Sequence, residues 1–305
     1  MLAYDRIPHF LEPTVVALGF FDGVHLGHAA VLEKAVKSTP LLPVVFTFQV
    51  SEDFPLAKGK EGILFSDLER RQFLEEKRIS AVVAPPFSAM REMDALGFVQ
   101  SILLRQLSAK RVVCGANFRF GKNAAGNVQD LQRWMQKNGV ETVVCPPVKH
   151  RGELVSSSKI RRALLDGRIR DANSLLGRPY SISSKVVYGK KIGHSIGIPT
   201  INQEFFPARL VPKYGVYASA VQLENRWHMG VTNIGRKPTV QLDGTPVIET
   251  HIPFYQGNLY GRMVTVALFD YLREEKTFSS LDALRQAIAL DIDNAKKIWK
   301  NQNFF

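Results

Sequence analysis

A change of rhythm near residue 178 constrains the fold more than any other feature of this sequence. Before that point, short apolar runs rich in β-branched residues recur as TVVAL (residues 14–18), LPVVFTF (42–48), ISAVVAP (79–85), RVVCGANF (111–118) and ETVVCPP (141–147). Between them lie HAAVLEKAVKS, SDLERRQFLEEK, DALGFVQSILLRQL and NVQDLQRWMQKNG, whose apolar residues have helical spacing. Buried strands alternating with helices build βαβ units, and hence a parallel sheet covered on both faces. After residue 178 the strand candidates are SSKVVYG, GVYASAVQL, RWHMGVTNI, PVIETHIPF and RMVTVALFDYL, most of them separated by turn residues rather than helices. That pattern predicts an antiparallel barrel or sandwich. One helix closes the chain, SLDALRQAIALDIDNAKKIWK, with Leu281, Leu284, Ile288 and Ile292 expected on one face. The boundary is expected within residues 165–182, which gives a first domain over 1–175 and a second over 178–305.

Two domains suit a chain of 305 residues, and 45% hydrophobic content supports a full core. No run approaches the roughly 18 apolar residues of a membrane span. The N-terminal MLAYDRIPHF lacks the basic and apolar regions of a secretory signal. Cys114 and Cys145 sit in separate apolar strands and read as reduced core residues. A cytoplasmic protein without membrane contact is expected. The formal charge of +12 is spread along the chain with no basic block. Polyanionic nucleotides account for it as well as nucleic acid does, and no arrayed aromatic and basic residues point to nucleic acid. The sequence leaves oligomeric state open, a homo-oligomer included.

In parallel sheets, ligands bind beyond the carboxyl ends of the strands. The first stretch placed there is GFFDGVHLGH (19–28): Gly19, Phe20, Phe21, Asp22 and Gly23, then His25, Gly27 and His28 at the start of a helix. A helix N-terminus offers free N–H groups and the positive end of its dipole, and two imidazoles there can donate to a phosphoryl group. The glycines admit close approach of a ligand. A polar helix-start loop would carry the same pair. Zinc is disfavoured, because no third and fourth ligand has sensible spacing. The second stretch is ELVSSSKIRRAL (153–164), where Ser156, Ser157, Ser158 and Arg161 could clamp a triphosphate or simply cap a basic surface helix. The third is GANFRFGK (115–122), with Asn117 on the ligand edge or in a plain turn.

In the second half, YGKKIGHSIGIPTIN (188–202) spaces Gly189, Gly193 and Gly197 four apart and is not a Walker A loop, since no G-K-[ST] follows. Thr200 and Asn202 supply oxygens suited to Mg²⁺ with a nucleotide. Glu249 is an acid within an apolar strand, either a general base for a hydroxyl or an outward-facing strand residue.

Taken together and in this order, GFFDGVHLGH, GANFRFGK and VSSSKIR resemble the nucleotidyltransferase module of the prokaryotic bifunctional riboflavin kinase/FAD synthetases, over residues 1–175. GIPTIN, YGVYAS, TNIGRKPT, ETH, NLYG and LREEKTF resemble the riboflavin kinase module of the same family, over about residues 178–295. The resemblance implies a Rossmann-like N-terminal domain and a six-stranded C-terminal barrel with a closing helix. It implies that the barrel phosphorylates riboflavin to FMN and that the N-terminal domain transfers AMP from ATP to FMN, giving FAD and pyrophosphate. By resemblance, His25 and His28 contact the ATP phosphates, with Gly19 to Gly23, Gly27, Asn117, Ser156 to Ser158 and Arg161 around the nucleotide. In the barrel, Glu249 is then the base, Thr200 and Asn202 bind Mg-ATP, and Gly189, Lys190, Gly193, Gly197, Pro199, Asn233 and Arg273 surround ATP and flavin.

The chain departs from the family at several positions. TFQVSEDFP replaces a stretch that ordinarily carries His-Pro, although Phe48 is retained. Ser184, His194, Ile198 and Phe254 replace a glycine, an arginine, an aromatic and an aspartate. These leave a second reading, an FMN adenylyltransferase whose barrel phosphorylates poorly.

Overall fold

The structure is a computed structural model that describes residues 1–38, 40–50, 61–189, 197–224, 226–236 and 246–300. Their contacts divide the chain into two compact units, Met1–Ser157 and Ser158–Phe305.

The first unit is built on a parallel sheet of six strands, β1 Leu2–Tyr4, β2 Thr14–Leu18, β3 Leu42–Phe46, β4 Ala81–Val83, β5 Ala109–Gly115 and β6 Glu141–Cys145. Their order is β1-β4-β3-β2-β5-β6. The helices between them are α1 Leu26–Val36, α2 Asp67–Glu76, α3 (Ala95–Gly97 continuing as π-helix Phe98–Gln106) and α4 Val128–Lys137. A small hairpin, β7 Lys149–His150 and β8 Glu153–Leu154, follows β6.

β2 is buried along its length because it has neighbours on both edges and cover on both faces. Its side chains alternate between two cores. Val16 and Leu18 join Val44, Leu103 and Val112 on one side. Val15 and Ala17 join Leu32, Val45 and Val113 on the other. Five of the six strands coincide with the runs read from sequence. The sixth, β1, is a three-residue edge strand paired in parallel with β4, too short to leave a periodic signal. The chain steps from β2 through β3 to β4 on one side, then returns to the other side of β2 for β5 and β6. β2 and β5 therefore flank the point where the strand order reverses, and a crevice opens at their carboxyl ends. Leu18 pairs with Cys114 there, so the loops that begin at Gly19 and Gly115 start side by side.

The second unit begins one residue into α5 Ser157–Leu165 and goes on to α6 Ile169–Leu176. It continues as a closed barrel of β9 Tyr180–Val187, β10 Thr200–Glu204, β11 Gly215–Leu223, β12 Arg226–Arg236, β13 Pro246–His251 and β14 Met263–Arg273. All its pairings are antiparallel. The last helix, α7 Leu281–Lys300, packs on the outside of the barrel, where Ala295 and Ile292 meet Val216, Ala218 and Val231. Tyr217 and Ser219, at alternate positions, face inward, and a hydroxyl chain of Ser219, Thr232 and Thr250 runs through the interior at 2.7 and 2.9 Å.

Leu284, Ile288 and Ile292, three of the four residues expected on one face of α7, are half-buried. Leu281 is 55% exposed, and the most buried positions of the helix are Asp291 and Ala295. Asp291 is carried inward because it accepts the guanidinium of Arg273 on β14. No described helix is long and apolar enough to cross a membrane.

Candidate functional sites

In the first unit, the chain leaves β2 at Gly19 and turns sharply, with Phe21 and Val24 at positive φ (52° and 39°). These are uncommon conformations for residues with side chains, and functional loops concentrate them. The turn is held from outside: Asp22 Oδ1 accepts the Leu64 N–H at 2.9 Å, and the Phe20 carbonyl accepts the Thr47 hydroxyl at 2.9 Å and Arg70 Nη1 at 2.7 Å. Sequence reading missed Thr47 and Arg70, because an arginine among the charges of SDLERRQFLEEK carries no signal of burial.

The turn delivers His25 to the N-cap of α1. Its Nδ1 accepts the His28 N–H at 3.2 Å. With Nδ1 accepting, neutral His25 carries its proton on Nε2, which is then a donor. The two imidazoles stack with centroids 3.6 Å apart and planes 12° from parallel, and His25 is only 6% exposed. Phe21 meets the His28 ring edge-on at 5.3 Å. Gly27 admits this stack: a Cβ there would stand 3.1 Å from His25 Cε1 and 3.9 Å from the Val155 carbonyl. The segment that leads to Ser156 therefore passes beside the start of α1.

Asn117 is exposed in the turn after β5, its Oδ1 near Gly115. Ser156 and Ser157 are half-buried at the end of the first unit, while Ser158 is exposed and Arg161 half-buried on α5 in the second. Burial and the nearby Cys145 push the Cys114 thiol, at the end of β5, up to about 12. It offers no thiolate nucleophile at this edge.

In the second unit, barrel register assembles residues that lie far apart in sequence. Asn202 on β10 pairs with Glu249 on β13, and Glu249 pairs with Asn233 on β12. Asn233 pairs with Val216 on β11, which pairs with Arg273 on β14. Directly opposed residues share a face, and Val216 marks this face as the outer one, beneath α7. Thr200 lies two residues before Asn202 and opposes His251, whose Nδ1 is 2.8 Å from the Pro199 carbonyl. Gly189 closes over Asn202, since a Cβ there would fall about 2.4 Å from Asn202 Nδ2. Gly197 is at positive φ (76°). Lys190, Gly193 and His194 lie outside the described residues.

Two contacts here were not legible from sequence. Asn233 Nδ2 donates to Glu275 at 3.0 Å, and Arg273 makes a bidentate pair with Asp291 (2.8–3.1 Å). Among the variant positions, Phe254 is 95% exposed at φ 67°, and the Ser184 carbonyl accepts Gln203 Nε2 at 2.9 Å.

Chemically, the first site offers hydrogen-bond donors and a helix N-terminus to a phosphate. The second sets neutral oxygens beside the carboxylate of Glu249, with Glu275 bonded to Asn233. Among the described residues no three His, Cys, Asp or Glu side chains cluster as a metal site. Thr200 and Asn202 fit a hard cation that also takes phosphate oxygens from a nucleotide.

Comparison with known proteins matches each half of the chain to a family pattern. The FAD synthetase family pattern matches residues 7–159, and the riboflavin kinase pattern matches residues 176–299. The bifunctional riboflavin kinase/FMN adenylyltransferase of Pseudomonas fluorescens is 33% identical over 300 residues, 95% of this chain and 96% of that protein. The protein of the same description from Escherichia coli K12 is 33% identical over 297 residues, 94% of this chain and 93% of that one. A crystal structure of a protein from Streptococcus pneumoniae, described as a macrolide-efflux protein, superposes with a TM-score of 0.85 at 27% identity. It covers 97% of this chain and 98% of its own. Efflux is said of that protein alone, and the likeness is one of fold. With both family patterns present and the curated relatives matched over nearly their full length, the chain belongs to the bifunctional riboflavin kinase/FMN adenylyltransferase family.

Proposed function

We propose that the chain makes FAD from riboflavin in two ATP-dependent steps, phosphorylation in a C-terminal domain over residues 178–305 and adenylylation in an N-terminal domain over residues 1–175. What carries the reading is that each half holds an assembled arrangement suited to its step. The stacked, capped histidine pair stands at the strand-order reversal of the sheet. Glu249 stands between Asn202 and Asn233 on the barrel.

In the first step, Glu249 takes the proton of the ribityl 5′-hydroxyl. That oxygen attacks the γ-phosphorus of ATP, the β–γ bridging bond breaks, and FMN and ADP form. Mg²⁺ bound with ATP neutralises phosphate charge. The side-chain oxygens of Thr200 and Asn202 would hold it, and Gly189 brings backbone close to Asn202. Asn233 flanks the base, and Arg273, fixed by Asp291, ends the same rung.

In the second step, an FMN phosphate oxygen attacks the α-phosphorus of ATP and pyrophosphate leaves. The attacking oxygen is already anionic, so the task is positioning and charge stabilisation. His25 Nε2–H, His28 and the N–H groups that open α1 supply it, the latter as a phosphate-binding helix N-terminus. Asn117, Ser156 and Ser157 complete the nucleotide contacts.

The test supplies riboflavin or FMN with Mg-ATP and separates flavins over time. His28→Ala is expected to abolish FAD formation and spare FMN formation, while Glu249→Ala does the reverse. Equal loss of both reactions in either variant overturns the separate assignments, and FAD formed from FMN but never from riboflavin overturns the kinase step.

A further inference from the structure

Arg70 is 3% exposed, a depth at which an arginine is rare without dedicated partners. It sits in the first turn of α2, a helix held at its start by a Ser66–Glu69 capping box. The guanidinium turns back toward the ligand edge of the sheet. Nη1 donates to the Phe20 carbonyl at 2.7 Å, in the loop after β2. Nη2 donates to the Phe48 carbonyl at 2.6 Å, just beyond β3. Asp67 pairs with Nη2, and its other carboxylate oxygen accepts the Val50 N–H at 3.0 Å. The Phe20 ring lies 4.8 Å from the guanidinium carbon, and Thr47 Oγ1 also bonds the Phe20 carbonyl. One buried cation thus pins two adjacent loops of the crevice by their backbones. A planar fork spans two carbonyls in this way, whereas an ammonium is a point donor.

We propose that Arg70 is a positioning residue for FMN adenylylation. By fixing Phe20 and Phe48 relative to each other, it sets the entry of the chain into His25 and the wall that faces it across the β2–β3 edge. Arg70 itself touches neither the histidines nor a reacting atom. It acts through the Phe20 and Phe48 carbonyls, and small displacements of such supports cost about 10²-fold in rate. The assignment rests on reading the N-terminal half as the adenylyltransferase.

The test uses the full chain with Arg70→Met and Arg70→Lys, assayed for FMN formation from riboflavin and for FAD formation from FMN, with thermal unfolding in parallel. Arg70→Met is expected to lower kcat/KM for FAD formation about 10²-fold and to raise the KM for ATP. FMN formation is expected to stay at the wild-type rate. Arg70→Lys should recover part of the loss. A shift in KM separates positioning from mere instability, since loss of folded enzyme lowers the apparent kcat alone. Wild-type FAD kinetics in Arg70→Met, or a fall in kcat at unchanged KM in both variants, overturns the proposal. A wild-type chain that forms FMN but no FAD overturns the underlying reading instead, and is told apart because no variant is needed to see it.

Discussion

Gly27 shows what the site requires of single residues. At the second position of a helix, alanine ordinarily stabilises over glycine by about 0.5–1 kcal/mol. Here the added Cβ would stand 3.1 Å from His25 Cε1 and 3.2 Å from Nδ1. That ring cannot yield freely, because it is buried, stacked on His28 and bonded to the His28 N–H. Gly27→Ala is therefore expected to reduce FAD formation at least about tenfold, a barrier change of ~1.4 kcal/mol. Its melting temperature should hold or fall slightly, and FMN formation should not change. Steady-state kinetics with FMN and ATP, beside a thermal melt, checks both. Unchanged FAD kinetics would mean that the position of the His25 ring does not matter to the reaction. The glycine and both histidines were legible as a helix start beyond the second strand, since residue types and spacing define that motif. Arg70 was not, since its burial depends on where α2 lands against the sheet.

Among the elements, the closing helix departs most from its sequence reading. Apolar spacing chose Leu281, Leu284, Ile288 and Ile292, yet Leu281 is exposed and Asp291, which polarity passes over, is buried on the face of the other three. Periodicity ranks residues by polarity and cannot see a cation waiting on another strand. The Arg273–Asp291 pair is bidentate, with Nε–Oδ1 at 3.0 Å and Nη2–Oδ2 at 2.8 Å. Its side chains are 22% and 4% exposed. Removing one partner of a fully buried pair costs about 3–5 kcal/mol. Partial exposure of Arg273 lets water recover some of that, so Asp291→Ala is expected to cost about 2 kcal/mol. Because the pair ties α7 to β14, the loss belongs to the barrel. The urea concentration that abolishes FMN formation should drop, while the concentration that abolishes FAD formation from FMN stays put. Equal shifts in the two midpoints would contradict this. The rung of Asn202, Glu249 and Asn233 was half legible in the same sense. Each residue stood out in its own motif, but their adjacency comes from register, which barrel closure sets and no local pattern records.

At the scale of the whole molecule, His25 and His28 belong to the unit Met1–Ser157, and Asn202, Glu249 and Asn233 to the unit Ser158–Phe305. The change from alternating strands and helices to strands alone made this division legible. The placement of residues 158–176 was not, because α5 and α6 continue the helical rhythm of the first half. Arg170 pairs with Asp270 at 2.5 Å and Asn173 Nδ2 donates to the Leu268 carbonyl at 2.9 Å, which ties this segment to the barrel. If each half completes its own reaction, the product of the first is a free substrate for the second. A mixture of His28→Ala and Glu249→Ala chains should then convert riboflavin to FAD although neither variant does so alone. The course should show a lag while FMN accumulates, and the lag should shorten as the Glu249-intact partner is raised. Adding an apoprotein that binds FMN tightly should stop FAD formation in the mixture, since every FMN molecule there must leave one chain to reach another. The same trap applied to the wild-type chain measures the fraction of FMN that leaves before adenylylation. A mixture that makes FMN but no FAD, under conditions where Glu249→Ala alone adenylylates added FMN, would show that the product of the first reaction is not released, and would contradict transfer through solution.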